Sequence, residues 1–60
     1  MNIPKDPIML MSFVNTQLRD SCSSLGDFAK SYGVEESEIL EKLSAIGYSY
    51  NEEANRFEHE

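Results

Sequence analysis

The chain has 60 residues, 40% of them apolar, and a formal net charge of −6 from eleven acids against five bases. That length admits one domain, residues 1–60, whose core withdraws only roughly 60% of the unfolded chain's surface from water. The acidic balance disfavours phosphate backbones and anionic lipid as partners, and the apolar share argues against disorder.

A core this small usually needs a disulfide, a metal or a partner. Cys22 is the only cysteine and His59 the only histidine, so neither an intrachain disulfide nor a structural metal site is expected. Tight packing or self-association remains. A lone thiol fits a reducing cytoplasm, which is the expected location. The apolar run Ile8 to Met11, continued by Phe13-Val14, is too short for a membrane span, and no cleavage pattern follows it.

Met1 to Lys5 reads as an extended lead-in. Asp6-Pro7 then starts a helix, with Asp as N-cap and Pro at the first helical position. This helix is predicted over about 7–20. Leu10, Met11, Val14, Leu18 and Cys22 share its core face. Met9 and Phe13, four apart, form a second stripe on an otherwise polar side.

Ser24 with Asp27 fits a capping box and opens a second helix over about 24–32. Leu25, Phe28, Ala29 and Tyr32 give it one apolar face at i, i+3, i+4 and i+7. Gly33 ends it through a positive φ. A third helix is predicted over about 36–46, with Glu35 as N-cap and Val34 and Ile39 as a hydrophobic staple. Its stripe is Ile39, Leu40, Leu43 and Ile46. Glu35, Glu36 and Glu38 lie in its first turn, where the helix dipole favours them, and Glu38 precedes Lys42 by four.

After Gly47 the period changes to that of strands. Tyr48, Tyr50 and Phe57, with a turn over residues 51–55, predict a short hairpin or flap over about 48–57. Glu58, His59 and Glu60 are expected to fray. The fold expected is mainly α: a three-helix, helix–turn–helix-like domain with a short C-terminal β-hairpin, winged-helix-like in layout.

The segment Leu25 to Gly47 carries the helix–turn–helix signal. Ala29 is small where the helices cross, Gly33 serves the turn, and Ile39 and Leu43 are branched on the inner face. A DNA-reading version needs Arg, Lys, Asn, Gln or Ser on the outer face of its second helix. Here that face offers Glu35, Glu36, Ser37, Glu38, Glu41, Lys42 and Ser44, so nucleic acid is disfavoured as a partner.

No residues assemble into a catalytic set. Cys22 follows Arg19-Asp20 at a helix C-terminus, which does not activate a thiol, and a packing role is expected. No calcium-loop spacing is present among the glutamates. The expected protein is therefore not an enzyme, with no cofactor, no metal and no small-molecule substrate. Asn15, Thr16, Arg19 and Asp20 are polar on a helix whose other face is core. One reading is simple solvation; the other has Arg19 pair with an acid from the third helix or the tail and fix the register, with Arg19 and Asp20 as the candidate polar register residues. Met9 and Phe13 call for a cover, from Tyr48, Tyr50 and Phe57 or from a second copy of the molecule.

The opening, Ile3 to Pro7 and Ser12 to Asp20, and the close, Leu40 to Tyr48, Tyr50 to Glu52 and Asn55 to Phe57, resemble a small bacterial family, domain of unknown function 4250. The resemblance covers nearly the whole chain. It implies a short, stand-alone bacterial protein, often of gut anaerobes, and brings no activity with it. Two functions fit these features: a non-enzymatic protein–protein interaction module, working on a protein partner or as a homodimer, and, as the alternative, a helix–turn–helix nucleic-acid regulator. The candidate contact surface is Met9, Phe13, Tyr48, Tyr50 and Phe57.

Overall fold

The computed structural model describes residues 3–59. It contains α1 (Pro7–Asp20), α2 (Leu25–Tyr32), α3 (Glu36–Ser44), β1 (Tyr48–Asn51) and β2 (Arg56–His59). The domain is mainly helical, closed by one antiparallel hairpin after the third helix. The lead-in expected at Met1 and Asn2, and the fraying expected at Glu60, lie outside the described residues.

Local chemistry accounts for most boundaries. Asp6 Oδ1 accepts from the Ile8 N–H at 3.3 Å, with Pro7 in the first turn. Ser24 Oγ accepts from the Asp27 N–H at 3.0 Å, while Asp27 Oδ2 accepts from the Ser23 N–H at 3.0 Å. The capping box is thus present with its return bond on Ser23, one residue upstream of the N-cap. Gly33 sits at φ 67°, and the N–H groups of Gly33 and Val34 both close on the Ala29 carbonyl. Glu35 stands as the N-cap of α3 without a side-chain cap bond.

Two expected boundaries differ in the structure. The third helix ends at Ser44, not Ile46, because the last N–H groups switch partner: Ile46 bonds Leu43 O at 3.2 Å and Gly47 bonds Ser44 O at 3.0 Å. These i to i+3 bonds tighten the exit. The C-terminus does not fray at Glu58 and His59, which belong to β2. Tyr48 pairs with His59 and Tyr50 with Phe57 across the hairpin. The Tyr48 and His59 rings meet edge-on at 5.3 Å, and Glu58 accepts from both Asn51 and Arg56.

The core is contiguous. Leu10, Val14 and Leu18 come from α1, Leu25 and Phe28 from α2, Ile39 and Leu43 from α3; Cys22 and Phe57 complete it. Each fully buried large side chain contributes about 1.5–3 kcal/mol. Leu40, expected in this stripe, is 39% exposed, since Ile39 and Leu43 already fill the inner face of α3.

Candidate interaction surface

At about 100° per residue, α1 offers three sides besides its core stripe. Phe13 leans towards α2. Its ring meets Phe28 at 6.1 Å and Tyr32 at 5.5 Å, both edge-on, while Phe28 and Tyr32 stack at 4.7 Å. Edge-to-face pairs of this kind add about 0.5–1.5 kcal/mol each beyond burial. Asn15 leans the other way, to the hairpin. Between them lies the outward side, with Met9, Ser12 and Thr16 all exposed.

The expected surface residues therefore separate. Phe13 is covered by α2, and Phe57 is buried at 3% exposure against α1. Tyr50 turns inward: its hydroxyl accepts from the Leu25 N–H at 3.1 Å and donates to Asn55 Oδ1 at 2.6 Å. Tyr48 is half-buried beside His59. The hairpin aromatics thus pack on the opposite flank of α1 from Phe13 and do not close over Met9. Met9 remains 60% exposed and Ile8 64% exposed. Met9 borders a shallow groove formed with Pro4, Ser12, Phe13 and Thr16.

Arg19 and Asp20 do pair, with two bonds at 2.9 and 3.0 Å, but with each other, at 75% and 52% side-chain exposure. The hydrogen bond raises the Arg19 pKa and lowers that of Asp20. Neither reaches another element by this pair, so it carries no register. Two asparagines hold that role. Asn15 Oδ1 accepts from the Phe57 N–H at 2.7 Å, and its Nδ2 donates to the Phe57 carbonyl at 3.1 Å. Asn55 Nδ2 donates to the carbonyls of Leu18 at 3.0 Å and Cys22 at 3.1 Å, which lie at the end of α1 and just beyond it. Asn55 reaches them from a left-handed conformation, φ 53°, that asparagine tolerates better than most side chains. In the sequence Asn15 reads as a polar helix residue and Asn55 as a turn residue, neither with a distant partner. The one local clue to Asn55 is an asparagine closing a turn.

The remaining chemistry is quiet. Burial, and then the nearby charge of Asp27, raises the pKa of the Cys22 thiol, which keeps it protonated and unreactive near neutral pH. Both arginines, Arg19 and Arg56, line a cleft between α1 and the hairpin turn, each already held by a neighbouring carboxylate. Among the described residues, no cluster of three His, Cys, Asp or Glu side chains is placed to hold a metal ion, and no helix is long and apolar enough to cross a membrane. The outer side of α3 presents Glu35, Glu36, Glu38 and Glu41, all exposed; Lys42 lies 3.5 Å from Glu38.

Residues 4–57 match the family described as domain of unknown function 4250. The chain belongs to that family. The match takes in α1, both register-fixing asparagines and Phe57, so the family unit includes the hairpin as far as its buried anchor. No curated protein and no solved structure matches the chain. For this member of domain of unknown function 4250, any functional reading therefore rests on the surface itself.

Proposed function

We propose that this protein is a small, non-enzymatic protein–protein interaction module of the bacterial cytoplasm, and that its contact surface is the outward side of α1. The observation that carries the reading is the exposure of Ile8 and Met9, at 64% and 60%, on a helix whose other sides are packed by α2, the core and the hairpin. Adjacent large apolar side chains left in water favour a covering partner. Photo-crosslinking in cells tests the reading. A photoreactive residue at Met9 is expected to give discrete protein adducts that Ile8→Glu removes. The same probe at Lys30, exposed on α2, is expected to give none. Equal labelling from the two positions would contradict the reading.

A helix–turn–helix nucleic-acid regulator is the second reading, supported by the α2–Gly33–α3 geometry with α3 facing outward. The glutamates on that face oppose it, since a polyanion would meet four carboxylates. Titration of mixed duplex DNA at low salt separates the two. The interaction reading expects no retention, and salt-sensitive binding would favour the regulator.

A further inference from the structure

We propose that the outward side of α1 docks on a second copy of the same chain, antiparallel, about a two-fold axis passing near Ser12 and Phe13. This rests on the interaction reading above and names its partner.

The charges are unevenly placed along the chain. Charged residues make up 27% of the chain, yet none occurs from Pro7 to Leu18. The uncharged stretch is bracketed by Lys5 and Asp6 at one end and Arg19 and Asp20 at the other, all four exposed. Met9, Ser12, Thr16 and Asp20 fall on one stripe of the helix, with Lys5 just ahead of its first turn.

Laying two such helices antiparallel brings Lys5 to the partner's Asp20, whose carboxylate Arg19 holds from its own chain, and the two-fold axis repeats the pairing. Met9 then faces the partner's Thr16. A parallel arrangement would set Lys5 on the partner's Lys5 and Asp20 on the partner's Asp20. The end charges therefore select one orientation. Their contribution is to geometry more than to affinity, because they are exposed.

The same charge distribution disfavours the other surfaces. Each molecule carries −6, and the outer side of α3 and the hairpin tip concentrate acid in Glu35, Glu36, Glu38, Glu41, Glu52 and Glu53. Two copies meeting there would repel. The outward side of α1 is where two acidic chains approach with opposite charges in register. Ser12 and Thr16 are small enough for a close helix contact, and Met9 adapts to an irregular gap. The Thr16 hydroxyl is already bonded to the Ser12 carbonyl at 2.9 Å, so the seam strands no donor there.

A single helix pair buries less than the standard interface of about 1,600 Å², so the association is weak and must be measured at high concentration. Sedimentation equilibrium of the full chain, from micromolar to millimolar, tests it. The wild type is expected to show a monomer–dimer equilibrium. Lys5→Glu and Asp20→Lys are each expected to weaken it roughly tenfold. The double exchange Lys5→Glu/Asp20→Lys is expected to restore it to within about threefold of wild type, because each reversed charge again meets its opposite. Circular dichroism on each variant confirms that the fold is retained. A double exchange that fails to restore association overturns the antiparallel arrangement. A strict monomer that still gives Met9 adducts with a different protein overturns the self-pairing and leaves the interaction reading standing. A strict monomer with no adducts overturns both.

Discussion

The carboxamide of Asn15 grips the main chain of Phe57, 42 residues away, by accepting from its N–H at 2.7 Å and donating to its carbonyl at 3.1 Å. The helix thereby satisfies both polar groups of a residue in β2, as a neighbouring strand would. This contact seats Phe57 in the core and sets how the hairpin lies along α1. It also leaves the outward side of α1 uncovered.

Asn15→Ala removes both bonds and leaves the Phe57 main-chain groups part-buried without their partner. The expected cost is about 1–3 kcal/mol of unfolding free energy, read from urea denaturation. Amide exchange at Phe57 is expected to accelerate more than exchange within α2, because the hairpin loses its anchor first.

Tyr50 and Asn55 act as one unit. Tyr50→Phe removes the hydroxyl between the Leu25 N–H and Asn55 Oδ1. Asn55→Ala removes that acceptor and the donor to Leu18 and Cys22. A double-mutant cycle is expected to show coupling of about 0.5–3 kcal/mol rather than additivity. Asn55→Gly is expected to be about 1 kcal/mol milder than Asn55→Ala, since glycine relieves the left-handed φ while losing the same bonds.

Met9 and Phe13 are four residues apart in one stripe and are expected to behave oppositely. Phe13→Ala opens the ring cluster with Phe28 and Tyr32 and is expected to cost about 2–4 kcal/mol. Met9→Ser touches no core contact and is expected to change stability by less than about 0.5 kcal/mol in the monomer. Thermal melts of the two variants at low concentration make the comparison.

Glu58 gives the hairpin an acid limit. The Asn51 side-chain bond, and then Arg56, hold its carboxyl below the ordinary glutamate range. A carboxyl lowered on folding stabilises the native state above its unfolded pKa, about 4.3 for glutamate. That contribution fades as pH falls through the lower folded value. Glu58→Gln keeps an acceptor for Asn51 and cannot titrate. The stability difference between wild type and variant is therefore expected to shrink on acidification below about pH 4, as followed by urea midpoints across pH.

What was legible in the sequence was local. Asp6-Pro7, Ser24 with Asp27, and Gly33 act within one turn of where they stand, so the starts of α1 and α2 and the end of α2 could be read from them. The apolar periods of α1 and α2 likewise placed Leu10, Val14, Leu18, Leu25 and Phe28 in the core. What was hidden depends on distant pairings. Asn15 and Asn55 look like solvated amides until α1 and the hairpin are brought together. Glu58 and His59 look like a loose tail until the register with Tyr48 and Asn51 is known. Phe13 looks stranded until the rings of α2 are placed beside it. The five residues that periodicity groups as one surface therefore separate in the fold. Phe57, Phe13 and the Tyr50 hydroxyl turn inward, and Met9 stays outside with Ile8.

On the proposed docking arrangement, Met9, Ser12 and Thr16 form the side on which this protein associates. Proton–nitrogen correlation spectra of the labelled chain, recorded from dilute to millimolar, test it residue by residue. Concentration-dependent shifts are expected at Lys5, Met9, Ser12, Thr16 and Asp20, with Glu36 to Glu41 unchanged. Spectra that superimpose over the whole series, or shifts confined to the glutamates of α3, would contradict it.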